Sequence, residues 1–178
     1  TDQKGIDLIV QIIPALIARG CQLALLGSGE AATENALLQF SKQNPGQIAV
    51  KIGFDEGLSH LITAGIDMFL MPSRFEPCGL NQMYSQRYGS PPIVSATGGL
   101  ADTVTDSDDE TIASRQATGV VFDDLSAKGL LAAIDRALAY YRDPETWRVI
   151  QRAGMRRDFS WARSAQQYHD MYRTLLAP

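Results

Sequence analysis

The run Pro72-Ser73-Arg74-Phe75-Glu76-Pro77-Cys78-Gly79-Leu80-Asn81 is the part of this chain densest in chemistry. It follows the apolar segment Met68-Phe69-Leu70-Met71 and combines a carboxylate, a rigid proline and a glycine ahead of a helical stretch. Pro77 fixes its own φ and disfavours a helical Glu76, which predicts a helix starting around Cys78 or Gly79 with its free amides facing a cleft. A carboxylate beside such N–H donors suits a hydroxyl-rich ligand that carries phosphate. Equally, Glu76 could simply cap the helix, since an acid is favourable at a helix N-terminus. The pattern alone leaves both open. Thr97-Gly98-Gly99-Leu100 repeats the arrangement one strand later, and its two glycines permit close backbone approach to a ligand. A turn of that composition also needs no ligand at all.

Other candidates are weaker. Gly27, Gly29 and Ala32 match G-x-G-x-x-G/A, a dinucleotide fingerprint, but a helix precedes their strand, whereas the fingerprint belongs in a first βα turn. Lys4, ahead of the first helix, reads as an ordinary solvated charge. Phe54, at a strand end, suits either the core or stacking on a base. Cys78 reads as an inert small core residue, because no base lies near it in sequence. His60, between Leu58 and Leu61 on a helical stretch, fits packing or capping better than catalysis.

The elements that must position these residues alternate. Ile6, Ile9, Ile13 and Leu16 fall on one helical face that ends near Gly20, with Pro14 expected to bend the helix. Short β-rich runs follow at 22–26, 48–52, 67–71, 92–95 and 119–122, separated by helical stretches. Runs such as Leu23-Ala24-Leu25-Leu26 are apolar on both faces, as in a parallel sheet covered on each side. Beyond Leu125 the chain reads as helices. The expected fold is α/β, a Rossmann-like doubly wound parallel sheet with C-terminal helices, forming a single domain over residues 1–178. Ligands of such sheets lie beyond the carboxyl ends of the strands, which is where the glycine-rich and acidic loops fall.

Composition narrows the function classes. With 178 residues, 45% of them apolar, the chain can bury a sizeable core. A net charge of -4 provides no basic field for nucleic acid. Two cysteines far apart and two histidines give no metal-ligand spacing, so no metal or cofactor is expected. No apolar run is long enough to cross a membrane. The expected setting is reduced and cytoplasmic, or plastidic for a plant protein.

Ser73-Arg74-Phe75-Glu76-Pro77-Cys78-Gly79-Leu80, Arg87-Tyr88-Gly89 and Thr97-Gly98-Gly99-Leu100-Ala101-Asp102-Thr103-Val104 together resemble the glycogen and starch synthases. Gln3-Lys4-Gly5, Leu25-Leu26-Gly27-Ser28-Gly29 and Ile52-Gly53-Phe54-Asp55-Glu56 correspond to that family in order and spacing. The resemblance implies the C-terminal, donor-binding half of a two-domain GT-B enzyme, a retaining transferase moving glucose from ADP-glucose to an α-1,4-glucan. The acceptor-binding N-terminal domain, and an arginine expected just before Thr1, would lie outside this sequence.

Carried over to this numbering, Lys4 would bind the donor diphosphate and stabilise the departing ADP. Glu76 would orient the glucosyl hydroxyls. The amides of Cys78, Gly79, Leu80 and Asn81 would hold sugar oxygens and the distal phosphate, Phe54 would stack on adenine, and Thr97, Gly98 and Gly99 would line the pocket. Tyr84 stands where many retaining relatives carry a second glutamate, with Gln82 nearby, so no carboxylate pair is available. The last helix would cross to the other domain and leave Trp161, Tyr168 and Tyr172 with exposed apolar area. A stand-alone nucleotide- or glucan-binding module and an NAD-linked enzyme are the competing expectations, as is UDP-glucose in place of ADP-glucose.

Overall fold

A computed structural model describes residues 2–176. After a short 3-10 turn at Asp2–Lys4 come α1 (Ile6–Ala18), β1 (Leu23–Gly27), α2 (Ala31–Gln43), β2 (Ile48–Ile52), α3 (Glu56–Gly65), β3 (Phe69–Met71) and α4 (Asn81–Tyr88). Then follow β4 (Pro92–Ser95), α5 (Gly98–Thr103), α6 (Asp109–Ala113), β5 (Val120–Phe122), α7 (Ala127–Tyr141), α8 (Pro144–Arg156) and α9 (Trp161–Leu176). The five expected strands are all present, every pairing among them is parallel, and helices alternate with them as expected.

Leu8, Ile9, Ile12, Ile13 and Leu16 recur at helical spacing, and α1 buries all five. Each such side chain contributes roughly 1.5–3 kcal/mol by leaving water. The helix runs through Pro14 to Ala18. α7 contributes Leu130, Ala133 and Ile134 to the same cluster, and the strand residues Ile93, Val120 and Phe122 pack with them. Asp143 and Pro144 start α8: the Asp143 carboxylate accepts from the Glu145 amide, and Pro144 sits where a missing N–H costs nothing.

Two features differ from the sequence expectation. The strands form two parallel ladders, β1-β2 and β3-β4-β5, instead of one continuous sheet. They still share a layer of helices, because Leu23 of β1 and Leu70 of β3 pack on the cluster held by α1 and α7. Only the second ladder is covered on both faces: β4 is buried throughout, whereas Ala24 and its partner Ala49, together with Lys51, are exposed. Small side chains at 24 and 49 make that open face inexpensive.

No residue of α9 is buried, and Trp161, Tyr168 and Tyr172 are exposed, Trp161 at 88%. No described helix is long and apolar enough to cross a membrane.

Candidate functional site

The loops after β3 and β4 and the segment before α1 meet at the carboxyl end of the second ladder. Gly5 caps α1 with a left-handed φ of 66° and lies so close to Pro72 that an added Cβ would overlap the Pro72 carbonyl oxygen. The Arg74 amide donates to Gln3 O at 2.8 Å, and Gln3 Nε2 donates to Phe75 O at 2.9 Å. Arg74 grips the same segment through its side chain, with Nη1 and Nη2 2.7 and 2.6 Å from the two oxygens of Asp7. This docking carries Lys4 to the β3 loop.

There Lys4 Nζ donates to Glu76 Oε2 at 2.5 Å across 72 residues of sequence. The Glu76 side chain is only 9% exposed and that of Lys4 47%, so an inner carboxylate is neutralised by an ammonium at the rim. Ser73 Oγ adds a hydrogen bond to the same oxygen at 3.2 Å. Glu76 is therefore no helix cap. α4 begins at Asn81, later than expected, and its N-cap is Leu80, without a side-chain cap. The delay has a local cause: Gly79 takes φ 69°, a left-handed conformation incompatible with a helix start at 78 or 79. Among the described residues no protein group accepts from the amides of Gly79, Leu80, Asn81 and Gln82.

Gly98 and Gly99 lie against this loop. A Cβ on Gly98 would overlap the Glu76 carbonyl oxygen, and one on Gly99 the Cys78 carbonyl oxygen. The Gly99 amide donates to Glu76 O at 3.0 Å. The two glycines thus have a structural use that the sequence could not show, the joining of two loops backbone to backbone. Thr97 is the N-cap of α5 without a side-chain capping bond.

The remaining candidates fall elsewhere. Phe54 follows β2 and is 92% exposed, outside the Lys4–Glu76 cluster. Cys78 is an exposed free thiol and not the core residue expected. His60 is also exposed, its Nδ1 3.2 Å from the Tyr88 hydroxyl. In the Gly27-Ser28-Gly29 turn the Gly29 amide already donates to the Glu34 carboxylate at 2.7 Å, so the protein's own acid occupies that anion position. Among the described residues no group of three or more His, Cys, Asp or Glu could hold a metal ion.

The pairing of Arg74 with Asp7 has no sign in the sequence, since an ion pair across 67 residues leaves no local signal. The Arg74 guanidinium, hydrogen-bonded to Asp7, holds that carboxyl below the usual carboxylate range against the opposing effect of burial. A lowered folded-state pKa gives stability that is complete above the unfolded value near 3.8 and lost as pH falls through the folded value. Asp7→Asn is expected to cost about 1 kcal/mol at pH 7, the upper end for a partly exposed bidentate pair. In denaturant titrations the gap from wild type should close as the pH drops below about 4.

The family of glycosyl transferases group 1 matches residues 1–153. A glycogen synthase from Nitrosospira multiformis is 54% identical over 176 residues, which are 99% of this chain and 36% of that protein. One from Halorhodospira halophila is 53% identical over 178 residues, with the same two shares. Among solved structures, the catalytic domain of starch synthase IV from Arabidopsis thaliana, bound to ADP and acarbose, superposes with a TM-score of 0.84 at 39% identity. It covers 98% of this chain and 36% of that one. The chain thus spans about a third of the length of these relatives. Its alternating parallel α/β architecture is the Rossmann-like half of a GT-B enzyme. With most of its length, residues 1–153, matched by one family, this chain belongs to the group 1 glycosyl transferases.

Proposed function

We propose that this chain is the donor-binding half of an ADP-glucose-dependent glucosyltransferase of the glycogen and starch synthase type. The observation that carries this is the meeting, at the carboxyl end of the second ladder, of Lys4, Glu76 and the amides of Gly79 to Gln82, which have no acceptor among the described residues. Cation, carboxylate and free N–H donors are what a sugar linked to a diphosphate requires. The names of the relatives and the ADP held by the starch synthase IV neighbour support the same donor class.

In this proposal the diphosphate draws Lys4 away from Glu76, and the ammonium then stabilises charge on the departing ADP. Glu76, released, accepts hydrogen bonds from the glucosyl hydroxyls. The amides of Cys78 to Asn81 hold sugar oxygens and the distal phosphate, Thr97 to Gly99 line the pocket, and Phe54 closes over adenine. The bond from glucose C1 to the phosphate oxygen breaks and one from C1 to the acceptor hydroxyl oxygen forms on the same face. The acceptor proton passes to the leaving phosphate, so the configuration is retained without a second carboxylate. The α-1,4-glucan and the other half of the enzyme complete the site, and the exposed face of α9 packs on that half.

Calorimetric titration with ADP, ADP-glucose, UDP-glucose and NAD tests the proposal. ADP and ADP-glucose should bind, ahead of UDP-glucose, with NAD silent. NAD binding tightest, or no nucleotide binding even with the acceptor half supplied, would overturn it.

A further inference from the structure

The face that α4 turns inward is polar: Gln82, Ser85 and Gln86 are buried, while Tyr84 and Tyr88 are exposed. Buried carboxamides are costly unless hydrogen-bonded, so their partners are informative. Gln82 Nε2 lies 3.1 Å from the carbonyl oxygens of both Cys78 and Gly79, and 3.0 Å from Thr103 Oγ1, and its two N–H groups are shared among these three acceptors. Thr103 Oγ1 in turn donates to Gly99 O, and one helical turn on Gln86 Nε2 donates to Thr103 O at 3.1 Å. One side chain thereby ties the loop after β3 to the helix that follows β4.

Gln82 Oε1 is different: it is buried and has no partner among the described residues. Turning the carboxamide over would only bring Oε1 against two carbonyl oxygens, so the observed orientation is the better one. A methionine would fill similar space without a stranded acceptor. What the carboxamide alone supplies is a pair of N–H donors that draw the Cys78 and Gly79 carbonyls inward. In a trans peptide the C=O and the following N–H point in opposite directions. Holding those two carbonyls inward therefore turns the Gly79 and Leu80 N–H groups outward, and these amides lack a protein acceptor among the described residues.

We propose that Gln82 is a positioning residue of the donor site: its carboxamide aims the Gly79 and Leu80 N–H groups at the donor's distal phosphate and, through Thr103, holds the Gly99 loop in the same frame. This rests on the donor-site proposal above. Gln82 is fully buried, so the Cys78 and Gly79 carbonyls that face it would lose donors at a place shielded from water, and some loss of stability should accompany the loss of phosphate recognition. Measuring unfolding beside binding tells the two effects apart.

The test measures ADP and AMP affinities by calorimetry for the wild-type chain, Gln82→Met and Gln82→Glu, with thermal unfolding of each. Both substitutions keep the approximate shape and remove the donors, and the methionine does so without adding a charge that would itself repel the diphosphate. ADP affinity should fall about tenfold, the loss of roughly one charge-assisted hydrogen bond, while AMP affinity holds, so the ADP-to-AMP ratio falls about tenfold. A merely structural role would lower both affinities together or neither. An unchanged ratio in either folded variant overturns the inference. A wild-type chain that binds ADP no better than AMP instead refutes the donor-site proposal, and the inference with it.

Discussion

Lys4→Ala is expected to weaken ADP binding ten- to about a hundredfold, the range for removing a charge-assisted hydrogen bond to phosphate. The ammonium is held by Glu76 at 2.5 Å, so a diphosphate bound as proposed would compete with the carboxylate for one cation. The same substitution strips an inner carboxylate of its counter-charge and leaves it only Ser73. A stability loss of about 1–2 kcal/mol should accompany it, below the range for a fully buried pair because Lys4 is half exposed. Glu76→Gln separates the two roles. Releasing Lys4 should leave ADP bound more tightly than in wild type, and if Glu76 orients the sugar as proposed, the advantage of ADP-glucose over ADP should disappear. Calorimetry on the three proteins measures this directly. ADP affinity unaltered in Lys4→Ala would remove Lys4 from the site.

Gly99→Ala should be strongly destabilising. The new Cβ would collide with backbone atoms of Cys78, which cannot rotate aside as a side chain can. Separating the loops also breaks the bond from the Gly99 amide to Glu76 O. Overpacking of this kind costs roughly 3 kcal/mol, or about 6–12 °C of melting temperature in a domain this size. Gly27→Ala is the control: nothing lies within 4 Å of its Cβ position, and it should stay within about 0.5 kcal/mol of wild type. Differential scanning calorimetry distinguishes the pair. Equal melting temperatures would mean that the two loops are not joined through Gly99.

The contrast between these glycines shows where the sequence is legible. The strands follow from short apolar runs and α1 from apolar residues at helical spacing, because both are local patterns of burial. The loops that carry Glu76 and Gly99 are also found from glycine and proline placement. Their internal geometry is harder to read. Whether Glu76 caps a helix depends on Lys4, 72 residues away, and where α4 begins depends on a left-handed turn at Gly79 held by the Gln82 carboxamide, a local feature that the glycine's presence alone does not specify. The buried face of α4, Gln82, Ser85 and Gln86, has no apolar stripe to reveal it. Likewise Leu23-Ala24-Leu25-Leu26 reads as covered on both faces, whereas Ala24 and Ala49 pair on an open one, since hydropathy cannot tell a small exposed residue from a small buried one.

The position of the nucleotide is the most direct test of the account. Backbone amide shifts of the isotopically labelled chain, followed by NMR as ADP is added, should move most at Gly5 and across Gly79 to Gln82, with little change at Gly27 to Gly29. The largest changes at Gly27 to Gly29, with Gly79 to Gln82 still, would contradict a donor site built around Lys4 and Glu76.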